Sequence, residues 1–303
     1  MVWHLSNCFR NRFAGCSFHC DEIDTWLIIV KNNKNMLYIL YLVSTFFVLE
    51  YLFPLRKNQP FLRKGIFTDF CYFLFFYFIF YKAFNYFVHN FNTLPTPYST
   101  YINSIRNLMI NFFTIFPNII ACIIIVLFTE LLYWLLHFSS HKFSFLWKIH
   151  KIHHSSEELS FISSYRFHFL EIIVFQTMLY TLYTFASIIY PKFYFVQFYV
   201  FPIIVFLQHS NINLKFKFLN YIFVTPQIHI YHHAKTTPLK YGVNYGYMLT
   251  LWDILFKTHL IPNHIEKVPL GLNDKTNDLK ENFFYQTIYP FQKFYLSIKN
   301  KFN

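Results

Sequence analysis

Apolar residues in this chain come in long runs that polar positions rarely interrupt. A helix crossing a bilayer needs about 20 mostly apolar residues, within a range of about 17–25. Leu37–Phe53, LYILYLVSTFFVLEYLF, is just long enough and carries one acid, Glu50. Phe67–Val88 is a second such run. Met109–Leu136 is the strongest, broken only by Asn111, Asn118 and Glu130. Glu171–Gln208 is too long for one crossing, and Pro191-Lys192 divides it into Ile172–Tyr190 and Phe193–Leu207. No internal repeat, low-complexity segment or Pro/Gly linker marks a second domain. The pattern predicts an all-α, polytopic integral membrane protein, with residues 36–303 forming one domain. Residues 1–35 resemble nothing that follows and lack the basic start, apolar centre and small-residue cleavage site of a signal peptide. They are expected to form a poorly ordered extension, with Met36 as an alternative start.

Composition supports the membrane reading. The chain is 55% hydrophobic and only 13% charged, about half the charge of an ordinary soluble domain. Phe, Tyr, Ile, Asn and Lys are all abundant, as in an AT-rich coding sequence, so aromatic content carries no binding argument. The net charge of +12 comes without a compact basic motif or nucleic-acid module. It fits a basic membrane protein facing anionic lipid. The five cysteines form no CxxC pair.

Basic residues then set an orientation. Arg56, Lys57, Arg63 and Lys64 separate the first two runs, whereas only Arg106 lies between the second and third. Lys142, Lys148, Lys151 and Arg166 follow the third, and eleven lysines follow His209. The heavily basic segments fall on one side, which is expected to be cytoplasmic.

Both histidine-rich segments lie on that side. HFSSHKFSFLWKIHKIHHSS holds His137-x3-His141 and His150-x2-His153-His154, and a later stretch holds His229-x2-His232-His233. Spacings of three and four return to one helix face, so each cluster aims its imidazoles in one direction. Eight such side chains match two metal ions with about four nitrogens each, and neutral imidazole suits iron, zinc, copper and nickel. The zinc-protease pattern HExxH is excluded, because Phe138 stands where the acid is required. Glu130 lies seven residues before His137 on nearly the same face, and an acid that deep in a span needs a partner. Glu171 and Asp253 are similar candidates for orienting imidazoles, with Arg166 a candidate partner for Glu171. A metal transporter would place its ligands at mid-bilayer in broken helices, not beyond the spans as here.

The pattern HxxxH, HxxHH, HxxHH resembles the fatty acid hydroxylase and sterol desaturase superfamily of membrane di-iron oxidases. EYLFPLRKNQPFLRKGIFTDFCYF resembles that family's amino-terminal approach. YRFHFLE resembles its Arg-x-His-Pro-x-Glu element at Arg166, His168 and Glu171. FLQHSNI resembles the segment that adds His209, and NYGYMLTLWDILFKTH its Asn-Tyr-Gly and Leu-Trp-Asp signature. Phe138 and Phe169 depart from the family's usual Arg and Pro, and neither removes a ligand.

The resemblance implies ten metal ligands: His137, His141, His150, His153, His154, His168, His209, His229, His232 and His233. It implies two iron ions, with zinc as a substitute in purified protein, and the hydroxylation or desaturation of a lipid by O2. Ether-lipid cleavage and aldehyde decarbonylation are alternative outcomes of the same site. No cytochrome b5-like or flavin-binding segment is evident, so electrons are expected from a separate ferredoxin or cytochrome b5-type carrier and its reductase.

Overall fold

The computed structural model describes residues 33–84, 86, 98–113, 115–214, 217–273 and 278–302. Residues 1–32, the bulk of the expected extension, lie outside them. The described chain divides into a short first unit, within Met1–Leu42, and a main unit, Val43–Asn303. The first contributes only the beginning of α1 (Asn33–Leu52), so the expected boundary at Met36 falls inside a helix. Within the main unit follow α2 (Ile66–Phe84), α3 (Tyr98–Phe113), α4 (Asn118–Lys142), α5 (Ser144–His150) and α6 (Phe169–Ile189). Then come α7 (Phe193–His209), α8 (Pro226–His232), α9 (Leu251–Leu255) and α10 (Phe283–Phe302). No strand forms among the described residues, and the three isolated bridges each join single residues.

Three helices, α2, α4 and α6, are long and apolar enough to cross a membrane. At 25 residues, α4 rises about 37 Å, more than the ~30 Å hydrocarbon core. Their outward positions are apolar: Ile119, Ile123 and Phe128 on α4, Ile173 and Val174 on α6, and Phe78 and Ile79 on α2 are all exposed. In water such faces would be costly; against acyl chains they are not.

The expected runs are revised at two places. Met109–Leu136 is not one helix: α3 ends at Phe113 and α4 begins only after Pro117, whose backbone is extended (φ −52, ψ 135). Proline has no N–H to donate and disfavours helix at the residue before it, so the chain breaks there. As a result α4 extends to Lys142 and carries the first histidine pair on its last turns. The runs at Leu37–Leu52 and Phe193–His209 are shorter apolar helices. Val88, the expected end of the second run, lies outside the described residues.

The spans pack through small and aromatic side chains. Ala121 and Ala186, both fully buried, join Cys122, Ile125, Leu179 and Tyr183 in the core between α4 and α6. Small residues let helix backbones approach closely. Tyr133 of α4 meets the Phe175 ring edge-on at 4.9 Å, while Tyr183 of α6 touches Phe201 of α7 at the same distance. This pairing brings the end of α4, the start of α6 and the end of α7 to one face. The loops and short helices from 143 to 168 and from 217 to 273 cap that face, around a second core of Leu159, Ile230, Ile265 and Leu270.

Gly65 caps the start of α2 with φ 85, a conformation glycine adopts without penalty. A Cβ there would lie 2.8 Å from Arg166 Nη2 and 3.0 Å from the Glu281 carboxyl carbon. The turn therefore lets the buried Arg166 guanidinium meet the partly exposed Glu281 carboxylate beside the backbone.

Candidate metal centre

Five different pieces of chain deliver the imidazoles. His137 and His141 sit one turn apart at the end of α4, and His150 ends α5. His153 and His154 begin a short 3-10 turn, His209 ends α7, and α8 supplies His229 and His232 with His233 just past its end. They assemble into two groups whose ligand atoms lie within 4.8 Å of one another: His137, His141, His150, His154 and His232, and His153, His209, His229 and His233. Eight of the nine residues are buried and His141 is nearly so.

Within the groups the Nε2 atoms converge. The separations are 3.1 Å for His141–His150 and for His150–His154, 2.9 Å for His209–His229, 3.2 Å for His229–His233 and 3.4 Å for His153–His209. The opposite nitrogens of five rings are held by the protein, while those of His229 and His233 are buried without a partner. Nδ1 of His137 meets the Tyr245 carbonyl at 2.8 Å and that of His232 the Val243 carbonyl at 2.7 Å. Nδ1 of His153 meets the Arg166 carbonyl at 3.3 Å, that of His209 the Val205 carbonyl at 3.2 Å, and that of His150 the Glu171 carboxylate at 2.5 Å. Carbonyls and carboxylates only accept, so each of these Nδ1 atoms donates its proton and each Nε2 presents a bare lone pair.

Two facing lone pairs, as at His153 and His209, cannot hydrogen-bond to each other. A cation between them removes the conflict. Metal–nitrogen bonds of about 2.0–2.1 Å place ligand nitrogens about 3.0 Å apart at right angles and about 3.4 Å apart at the tetrahedral angle. The observed spacings span that interval. Nε2 of His137 and Nε2 of His232 are buried with no protein partner, which leaves both free to ligate. The residues fit a pair of transition-metal ions.

Electrostatics keeps the rings in their ligating form. Burial, reinforced by neighbouring imidazoles, holds His153, His154, His229 and His233 well below the usual histidine range. His232 is lowered by burial to about 3 despite its hydrogen bond to the Val243 carbonyl. Neutral imidazole is the metal-binding species.

The four expected charged residues act around this centre in different ways. Glu171 holds His150 directly. Glu130 finds no basic partner: its Oε2 accepts the backbone N–H groups of Met248 and Leu249 at 3.0 and 3.1 Å. Asp253 accepts the N–H groups of Tyr245 and Gly246, each at 2.8 Å, and the Trp134 indole at 2.9 Å. Together these acids pin the loop 243–249 to α4, and carbonyls of that loop and its start orient His137 and His232. Arg166 does not pair with Glu171 as expected. Its fully buried guanidinium is bonded to Asp69 and Glu281, and its carbonyl orients His153.

His168, expected among the ligands, stands outside both groups. Its Nε2 donates to the Thr287 carbonyl at 2.9 Å, and its Nδ1 accepts the Leu170 N–H at 3.3 Å, capping α6. Both ring nitrogens are thereby occupied. Reading the sequence missed Asp69, Trp134 and the carbonyl acceptors. The aspartate had a signal in the amino-terminal approach motif; backbone carbonyls have none in a sequence.

Taken together, the described residues form a helical protein with three helices apolar enough to cross a membrane and two adjacent, largely buried imidazole groups whose geometry fits metal ions. The profile of the fatty acid hydroxylase family matches residues 122–258, a stretch containing all nine converging histidines and Asp253. Over that stretch the chain is similar to the fatty acid hydroxylase superfamily. Among similar proteins, the ornithine lipid hydroxylase OlsE of Rhizobium tropici is 31% identical over 161 residues, covering 52% of this chain and 46% of that protein. An alkylglycerol monooxygenase of Caenorhabditis elegans is 28% identical over 157 residues, covering 51% of this chain and 30% of that protein. Its Homo sapiens counterpart is 30% identical over 159 residues, covering 48% and 31%. The matched region thus spans less than half the length of these curated relatives. No solved structure matches the chain.

Proposed function

We propose that this protein is a membrane-bound lipid monooxygenase whose two imidazole groups each hold one iron ion. The observation that carries the reading is the convergence of nine histidines at the ends of apolar spans, five in one group and four in the other. His168 is assigned to capping α6 instead. Zinc, which binds comparable nitrogen sites more tightly than ferrous iron, would replace it readily during purification.

In the proposed reaction a lipid C–H group, O2, two electrons and two protons become C–OH and water. Bound iron would supply the redox chemistry with oxygen. The protein's part is positional. The five Nδ1 hydrogen bonds fix ring orientation, Glu171 holds the proton of His150 on Nδ1, and Phe167, stacked on His153 at 4.0 Å, shields that ring from water. Electrons would come from a separate ferredoxin or cytochrome b5-type carrier. The basic segments around the site support a cytoplasmic location for it.

Hydroxylation is favoured over desaturation because the similar proteins are named hydroxylases or monooxygenases. A second reading, oxidation of an alkylglycerol, draws on the similarity to alkylglycerol monooxygenases. Membranes from cells expressing the wild type or His153→Ala, supplied with O2 and a reducing system, would be compared by lipid mass spectrometry. A product 16 mass units heavier that requires His153 is expected. A free alcohol and aldehyde from an alkylglycerol would favour the second reading, and equal products from both proteins would refute the metal-centre assignment.

A further inference from the structure

A half-open cavity of about 220 Å3 lies where α1 turns into α2, apart from the imidazole groups. Phe47, Tyr51 and Phe61 contribute to its apolar part, and Glu50, Lys57, Gln59, Arg63, Ser160 and Asn211 form its polar part. Arg63 is 97% buried by its 3% exposure, and only its Nη2 has partners, the Asp69 carboxylate and Ser163 Oγ. Nε and Nη1 are buried with none. Gln59 is similar: its Nε2 donates to the Leu159 carbonyl at 2.8 Å while its Oε1 is buried and unpartnered. A buried guanidinium nitrogen without an acceptor is costly, so the cavity presents donors that await one.

Two acids face this region. Asp69 is shared between Arg63 and Arg166. Glu50 is already saturated, accepting from Ser160 Oγ and from the N–H groups of Phe161 and Asn211, each at 2.8 Å. Lys57 adds an exposed positive charge at the rim. Leu52, Phe53, Phe61 and Leu62 around the same turn are exposed apolar residues beside the start of a membrane span. Anion donors inside an apolar rim at the membrane surface match one class of ligand.

We propose that this cavity binds the headgroup of an anionic phospholipid. The phosphate accepts from Arg63 Nη1 with Lys57 at its outer side, a headgroup hydroxyl donates to Gln59 Oε1, and the acyl chains follow the Phe47, Tyr51 and Phe61 surface. Arginine favours phosphate through charge-assisted hydrogen bonds, and basic pockets at the ends of spans suit such headgroups. The site communicates with the imidazoles through Asp69 and Arg166, whose carbonyl orients His153. A lipid seated there would brace that relay. The assignment is independent of the metal chemistry.

The test is native mass spectrometry of the full chain in detergent, titrated with phosphatidylglycerol or phosphatidylcholine. Phosphatidylglycerol should bind at least tenfold more tightly. Arg63→Gln should lose that preference, with metal content as its check of folding. Lys57→Gln, at an exposed position, should weaken phosphatidylglycerol at least threefold and decides the matter if the Arg63 variant does not fold. Lys192→Gln, at the turn between α6 and α7, should leave binding unchanged. Equal binding of the two lipids, or wild-type binding by Lys57→Gln and by folded Arg63→Gln, would overturn the proposal. Displacement of the lipid by equimolar inorganic phosphate would mark a free-anion site and would overturn it as well.

Discussion

Replacing Glu171 by Ala isolates one arm of the metal centre. The carboxylate meets His150 Nδ1 at 2.5 Å, with side chains only 5% and 2% exposed. Its removal leaves a buried N–H without an acceptor, a cost of about 1–3 kcal/mol, and frees the ring to rotate. Loss of such an outer partner typically lowers metal affinity by about 10–100-fold, or about 1.4–2.7 kcal/mol. His150 belongs to one group of five, while His153, His209, His229 and His233 form the other. The variant should therefore weaken one metal and spare the second. Purified protein loaded with iron and challenged with a graded chelator should release one equivalent about 10–100-fold more readily, the other as in the wild type. Glu171→Gln, which keeps an acceptor, should fall between the two. In a His150→Ala background, Glu171→Ala should add almost nothing, because the two act through one contact. Uniform loss of both metals, unchanged retention, or full additivity would refute the link between Glu171 and a single group.

Three further outcomes follow from the same geometry. His168→Asn should retain both metals, since Asn is a strong cap, while His168→Ala should lower stability by about 1 kcal/mol at unchanged metal content; loss of a metal equivalent in either would return His168 to the ligand set. Metal-free protein should lose stability as pH falls below about 6.5, because the unfolded chain then binds protons that the buried imidazoles refuse, at about 1.4 kcal/mol for each such ring by pH 5.5; the loss should continue toward the lowered folded values, such as about 3 for His232. Thermal melts from pH 8 to 5 with and without iron check this, and a flat apo profile contradicts it. In a cysteine-free background, Lys192→Cys should react with an impermeant thiol reagent in intact cells and Lys267→Cys only after lysis; the reverse pattern would invert the proposed orientation.

Much of the architecture is legible in the order of residues. Runs such as Met109–Leu136 carry few charges, so their apolar, helical character follows from composition, although only the structure breaks this one before Asn118 and extends it to Lys142. Eight of the nine converging histidines announce themselves by i, i+3 and i+4 spacing, because a single helical turn is enough to aim them together. His209 has no such neighbour, and only the family's motif marks it. His168 is the converse case: its motif resembles a ligand's, yet its ring nitrogens meet the Thr287 carbonyl and the Leu170 N–H.

What periodicity cannot express is the pairing of distant segments. The sequence alone determined that imidazoles would gather at the ends of apolar helices, since both features depend on residues within one or two turns. Only the tertiary structure decided that His232 joins His137 and His141 while His229 and His233 join His153. Only it revealed that Glu130 holds a loop 118 residues away and that Arg166 turns to Asp69 instead of Glu171. Those choices depend on how α4, α6, α7 and α8 pack, and on which buried donor lacks an acceptor once they have. Spacing sets the direction in which a local cluster points; burial across the whole fold sets what it meets.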